Sequence, residues 1–128
     1  IFNHTRIAAP YSSALADFTL RENFETIAKF KITNINYKSL LELLEWKDPK
    51  EKQLRNFSSG MLQRTNVCLS LIFDSALVLL DEPTSYLDEK TKEWFKNLVS
   101  HFKKDRMIII ASNEITDFFH CAEVVAIK

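Results

Sequence analysis

Glycine is nearly missing from this sequence. At an average usage of ~7% a chain of 128 residues would carry about nine glycines, and this one has Gly60 alone. That excludes, within the chain, any glycine-rich loop of the kind that wraps backbone amides around phosphates. Net charge is missing too: 17 basic residues balance 17 acidic ones, so there is no broad positive field to draw nucleic acid or anionic lipid irrespective of sequence. The two cysteines, Cys68 and Cys121, stand far apart in apolar surroundings with no CxxC pair. Neither a disulfide framework nor a thiolate metal site follows, and a reducing, cytoplasmic setting fits best. The longest strongly apolar runs, 76–80 and 107–111, are far shorter than the ~20 residues a bilayer-spanning helix needs. The chain opens on Ile1 rather than methionine, which together with the glycine shortage reads as a piece of a longer protein.

What is present is an ordinary folded composition, 46% hydrophobic and 27% charged, with enough apolar surface to form a core. A short extended segment at 5–9 is stopped by Pro10. Thr19-Leu20-Arg21-Glu22 has the spacing of a capping box, ahead of a helix that carries Leu20, Phe24, Ile27 and Ala28 on one face. The same spacing at Ser39 and Glu42 predicts a second short helix. A third runs from Ser58 to about Phe73. The apolar run 76–80 then lacks alternation, as a strand covered on both faces does. Asp88 predicts the N-cap of a helix to about Lys103, with Phe95, Leu98, Val99 and Phe102 at helical spacing and Trp94 widening the stripe. A strand at 107–111, a short helix at 115–121 and a strand at 124–127 complete a βαβαβ pattern, which implies a parallel, covered sheet. The aromatics, Phe24, Phe30, Trp46, Trp94, Phe95 and Phe102 among them, read as core at this spacing, and His4, His101 and His120 do not stand at ligand spacing to one another.

The chemistry is concentrated where the run 76–80 ends. Asp81 and Glu82 close a buried strand, and in open α/β sheets ligands gather at the carboxyl ends of strands. A first acid there can hold Mg²⁺, directly or through water, and the next can orient or deprotonate an attacking water. Taken alone, the pair reads more readily as two solvated acids ending a strand. Upstream, Phe57-Ser58-Ser59-Gly60-Met61 opens a helix with free amides and hydroxyls that favour an anion. An isolated Ser58 there reads as a helix cap.

Taken together, these segments resemble the ATP-binding cassette (ABC) ATPase family. FSSGM (57–61) stands at its signature motif LSGGQ, LVLLDEP (77–83) at its Walker B segment and SYLD (85–88) at its D-loop, in the family's order and at similar spacing. Pro10-Tyr11 and Leu20-Arg21-Glu22-Asn23-Phe24 are similar to its Q-loop region and the start of its helical subdomain. The resemblance implies an α/β fold, the C-terminal part of a P-loop NTPase (RecA-like) parallel sheet with an α-helical subdomain. It divides the chain into a Q-loop-region strand and loop (1–18), a helical subdomain (19–56) and a unit holding signature helix, Walker B, D-loop and α/β core (57–128).

The resemblance implies ATP and Mg²⁺ as cofactors. It makes Glu82 the catalytic carboxylate and Asp81 the magnesium ligand. Ser58, Ser59 and Gly60 face the γ-phosphate held by a second cassette, Asp88 communicates across that dimer interface, and Asn113 stands where the family presents a histidine to the γ-phosphate. A membrane permease is the further partner, touched by the helical subdomain, and the place is cytoplasmic, peripheral to the membrane; nucleic acid is not a partner in this reading. The chain departs from the family in four positions: Tyr11 or Ser12 stands where the Q-loop glutamine belongs, Asn113 where a histidine is usual, Ser59 for glycine and Met61 for glutamine. The Walker A loop, GxxxxGK[ST], is absent, so the isolated chain is expected to hydrolyse no ATP. The alternatives are a non-transport ABC ATPase, translation-factor-like or of the chromosome and repair type, and a degenerate regulatory cassette.

Overall fold

A computed structural model describes residues 15–47, 51–119 and 121–127, together with the backbone of strand β1 (Thr5–Ala8). Tyr11, Ser12, His4 and His120 lie outside the described residues. After β1 come helices α1 (Leu20–Ala28) and α2 (Tyr37–Leu43), a 3₁₀ turn at Leu54–Asn56, and helix α3 (Ser59–Ile72). Strand β2 (Leu77–Asp81), helix α4 (Glu89–Phe102), strand β3 (Met107–Ala111) and a 3₁₀ turn at Ile115–Phe118 follow. No described helix is long and apolar enough to cross a membrane.

The helix starts obey local chemistry. Thr19 Oγ1 accepts from the Glu22 amide at 3.2 Å while Glu22 Oε2 accepts from the Thr19 amide at 2.8 Å, so the predicted capping box forms in full. The second predicted box does not form. Helix α2 begins earlier because Asn36 Oδ1 accepts from the Ser39 amide at 2.9 Å and takes the N-cap, leaving Ser39 inside the first turn. Helix α3 is buried at every position from Thr65 to Ile72, as a helix threaded through a core is. Its last carbonyls are satisfied from outside the helix: Arg106 Nη1 donates to Leu71 O and Thr33 Oγ1 to Ile72 O, each at 2.7 Å.

The three strands form one parallel sheet in the order β1-β2-β3, with Leu77 opposite both Thr5 and Met107. Val78 and Leu80 of the central strand are buried, and Ile108 and Ile110 of β3 pack against the same core as α3 and α4. The expectation of a sheet covered on both faces is corrected: Met107 and Ile109 are 63% and 50% exposed, while Leu77 and Leu79 are only partly buried. The run predicted as a strand at 124–127 is irregular, with Val124, Val125 and Ile127 exposed. A strand exists only with a ladder partner, and this run has none among the described residues. The segment predicted as a helix at 115–121 is a single 3₁₀ turn.

One continuous core joins the helical region to the α/β region, from Leu20, Leu40, Leu44 and Leu54 to Phe73, Leu80 and Phe95. Phe24 meets Phe73 at a ring separation of 5.6 Å. Phe30, expected in this core, is instead 80% exposed just past the end of α1, where no facing element takes it up. At the other end, Trp94 Nε1 donates to Leu43 O at 2.7 Å, and Arg64 donates to Leu44 O while lying 4.5 Å from the Trp94 ring centroid. The end of α2 is thereby fastened to α3 and α4 by its own last carbonyls, a geometry that satisfies orphan acceptors and fixes the two regions together.

Two measurements check this packing. Replacing Thr19 by alanine removes the acceptor side of the capping box and is expected to lower unfolding free energy by about 1 kcal/mol in denaturant titration. Burial pushes the Cys68 thiol up to about 12. A thiol reagent at about pH 8 is therefore expected to label the partly exposed Cys121 in the native protein and to reach Cys68 only on unfolding.

Candidate functional site at the carboxyl end of the central strand

Strand β2 ends on Asp81, whose side chain is exposed and which stands opposite Ala111 of β3. The next residue, Glu82, has a φ of 46°, in the left-handed region that side-chain-bearing residues avoid. Such a conformation costs on the order of 1–3 kcal/mol and persists only where the surroundings impose it. Here they do. The Glu82 amide donates to Ala111 O at 2.8 Å. Gln63 Nε2 donates to the carbonyls of Glu82 and Pro83, at 3.0 Å each. On the side chain, Glu82 Oε1 accepts from both the amide and Nδ2 of Asn113, at 3.1 and 3.0 Å. Oε2 takes no hydrogen bond among the described residues, so one oxygen is fixed and the other can accept a proton.

The segment after Glu82 turns tightly. The Ser85 amide donates to Glu82 O at 3.1 Å and the Leu87 amide to Thr84 O at 3.0 Å. Tyr86, between them, has a φ of 66° and is 72% exposed. Its carbonyl lies 3.2 Å from where a Cβ on Gly60 would be. Gly60 thus allows a close backbone approach, tighter than most side-chain-bearing residues make, which joins the start of α3 to the segment at 85–88. Ser58 caps α3, its Oγ accepting from the Met61 amide at 3.2 Å. One lone pair is thereby taken by the helix, and the hydroxyl proton has no recorded acceptor among the described residues. A cleft of about 150 Å³ lies between Ser59, Leu62, Gln63, Asn66 and Tyr86.

Asp88 caps α4, accepting from the Thr91 amide at 2.8 Å. The hydrogen bonds from Thr91, with smaller contributions from Lys90 and Arg64, hold its carboxyl below the usual range. The sequence-predicted residues therefore gather in two places. Glu82 and Asn113 are in contact. Gly60 packs on the segment that contains Tyr86 and ends at Asp88. Asp81 stands free at the strand end, and among the described residues Ser58 and Ser59 do not hydrogen-bond either acid. Gln63, Thr84 and Asp117, all buried, also shape this end of the sheet. Gln63 lies five residues after the predicted helix start at Ser58, and a polar residue flanked by Leu62 and three residues beyond Gly60 is the signal that could have marked it.

A family model described as "ABC transporter" matches residues 5–85. Among curated proteins, ABC transporter A family member 8 of Dictyostelium discoideum is 33% identical over 87 residues, which cover 68% of this chain and 10% of that protein. The probable ABC transporter ATP-binding/permease protein of Haemophilus influenzae is 30% identical across 100% of this chain and 22% of its own length. Among solved structures, the complex of archaeal ribosomal stalk protein aP1 and archaeal ribosome recycling factor aABCE1 has a matching chain with a TM-score of 0.69. That chain is 27% identical over 85% of this chain and 22% of its own. The chain thus spans a small part of the curated relatives it matches.

The lowered Asp88 pKa has a stability consequence of definite sign. Its folded value lies below its unfolded one, so its contribution is complete above the unfolded pKa of about 3.9 and is lost as pH falls through the folded value. Thermal midpoints recorded from about pH 7 down to about pH 2 are expected to fall less steeply at the acid end in Asp88→Asn than in the unaltered protein.

Proposed function

The chain belongs to the ABC transporter family, and from that premise we propose that it is part of an ATP-binding cassette whose hydrolysis of ATP drives transport across a membrane. The observation that carries the reading is the carboxylate of Glu82, held through one oxygen by Asn113 at the end of the central strand. The residues present fit nucleotide and magnesium. Asp81 offers a single exposed carboxylate at the strand end, and among the described residues no cluster of three or more acidic, cysteine or histidine groups forms a cage of its own. That donor set suits Mg²⁺, which takes one or two carboxylates and completes its shell with phosphate oxygens and water. Bound magnesium and ATP would supply the scissile phosphoanhydride and neutralise its charge.

The chain's own residues do the rest. Glu82 orients a water and takes its proton on Oε2, while Asn113 keeps the carboxylate from rotating. Ser58 donates its hydroxyl proton, and Ser59 and Gly60 present the helix start, to the γ-phosphate held by a second cassette. Asp88 closes the same interface. The helical region from Thr19 to about Leu54 meets a permease, which places the cassette on the cytoplasmic face of a membrane. This chain, having no glycine-rich phosphate loop, does not turn over ATP alone.

A second reading is favoured by the likeness to the ribosome recycling factor: a cassette that acts without a permease. ATP-dependent cosedimentation with ribosomes would support it, and stimulation of ATPase activity by a membrane subunit in proteoliposomes would support transport.

The test is magnesium-dependent ATP hydrolysis by the full-length protein. Glu82→Gln is expected to lower kcat by about a hundredfold or more while an ATP-bound dimer accumulates on gel filtration. Wild-type turnover in Glu82→Gln removes the carboxylate from its assigned role.

A further inference from the structure

Asp117 is 2% exposed, and its recorded hydrogen-bond partners are uncharged. Thr84 Oγ1 donates to both of its oxygens, at 2.9 and 3.1 Å, and Ser112 Oγ donates to Oδ2 at 2.7 Å. Lys92, in α4, makes its ion pairs with Glu89 at 3.2 Å and Glu114 at 3.9 Å and attracts Asp117 only without direct contact. A buried carboxylate whose recorded hydrogen bonds come only from hydroxyls is an expensive way to fill space, because its desolvation is only partly offset. What it achieves is a span between two loops. Thr84, itself 3% exposed, follows Glu82 by two positions. Ser112 precedes Asn113, and its Oγ also accepts from the Glu114 amide at 2.9 Å, which fixes the backbone on the far side of Asn113. The two loops tied by Asp117 are therefore the ones whose members meet at Glu82 Oε1.

We propose that Asp117 is a positioning residue for the Glu82–Asn113 pair, holding the loop after β2 and the loop after β3 in register through Thr84 and Ser112. It does not reach the reacting atoms. Without it, Asn113 loses the fixed backbone that aims both of its donors at one oxygen, and Glu82 can swing out of line. The inference rests on the reading of Glu82 as the catalytic carboxylate.

The experiment uses the full-length protein and steady-state hydrolysis of MgATP, with nucleotide affinity measured separately by titration of a fluorescent ATP analogue. Ser112→Ala and Thr84→Val each remove one leg of the span and leave Asp117 in place; Asp117→Ala removes both. Each single-leg variant is expected to lose about tenfold in kcat and Asp117→Ala up to about a hundredfold, the scale on which small misplacements act. Analogue affinity should stay within about twofold of wild type, since none of the three residues binds nucleotide. Thr84→Ser, which restores the hydroxyl, should recover turnover. In an Asn113→Ala background, Ser112→Ala should add little further loss, because the two act through the same contact. Wild-type kcat in both Ser112→Ala and Thr84→Val, with Glu82→Gln inactive, overturns the positioning role and leaves the catalytic carboxylate standing. Loss of activity that tracks a fall in Tm and is not recovered by Thr84→Ser reduces Asp117 to a structural group and overturns the proposal as well. Turnover unaffected by Glu82→Gln removes the reading beneath it.

Discussion

Glu82 has its hydrogen-bonding groups committed to three different elements: its amide to Ala111 at the end of β3, its carbonyl to Gln63 on α3, and one carboxylate oxygen to Asn113 in the loop beyond β3. Its left-handed backbone is held by the first two, and the third fixes the side chain it carries. The dependence runs in one direction. Sheet register must be set before Ala111 can accept, α3 must lie across the strand ends before Gln63 can reach, and the loop after β3 must be shaped before Asn113 can donate twice. The carboxylate is the last thing to be positioned and the first to suffer if any layer beneath it shifts.

Helix α3 couples this point to its own first turn, at Gly60. Gly60 and Gln63 are three residues apart, so they share one side of the helix about one turn from each other. Gly60 receives the Tyr86 carbonyl against its bare Cα, and Gln63 grips the carbonyls of Glu82 and Pro83. The segment from Glu82 to Tyr86 is thus held at both ends by one helical face. A displacement of the exposed Tyr86 by anything docking on it would press on Gly60 and, through a rigid turn of helix, on the anchor of Glu82. Two features that look separate in the sequence, a glycine at a helix start and an acid at a strand end, form one mechanical unit.

Much of this was legible in the sequence where the signal is local. The Thr19–Glu22 box, the apolar runs that became β2 and β3 and the Asp88 cap each depend on neighbours within a few positions, and each formed as read. Errors arose where a local pattern admits two solutions or where the decisive partner is distant. Asn36 and Ser39 are both good caps, and spacing alone does not say which amide wins. The run 124–127 has strand-like residues, yet a strand is defined by a partner edge that its own residues do not specify. Phe30 continues the helical spacing of α1, yet the helix ends before it and no other element faces it. Asp117 carries no motif at all: its hydroxyl partners are 33 and 5 residues away, so only the fold reveals that an acid in an apolar turn ties two loops together.

On the proposed reading, asparagine stands where the family usually has histidine, and that changes what the contact with Glu82 can do. An imidazole with an ordinary pKa near 6.5 gains and loses its charge across the physiological range, so its grip on a carboxylate varies with pH. The Asn113 amide does not titrate, and its donors offer Oε1 the same two hydrogen bonds at any pH at which Glu82 is ionised. The clamp is therefore constant but weaker in charge, since among the described residues no positive group pairs with the carboxylate. Geometry has to supply what charge does not. That requirement gives physical sense to the rest of the arrangement: a strained backbone held by Gln63, a backbone amide added to the side-chain donor, and a buried acid that keeps the Asn113 loop from moving.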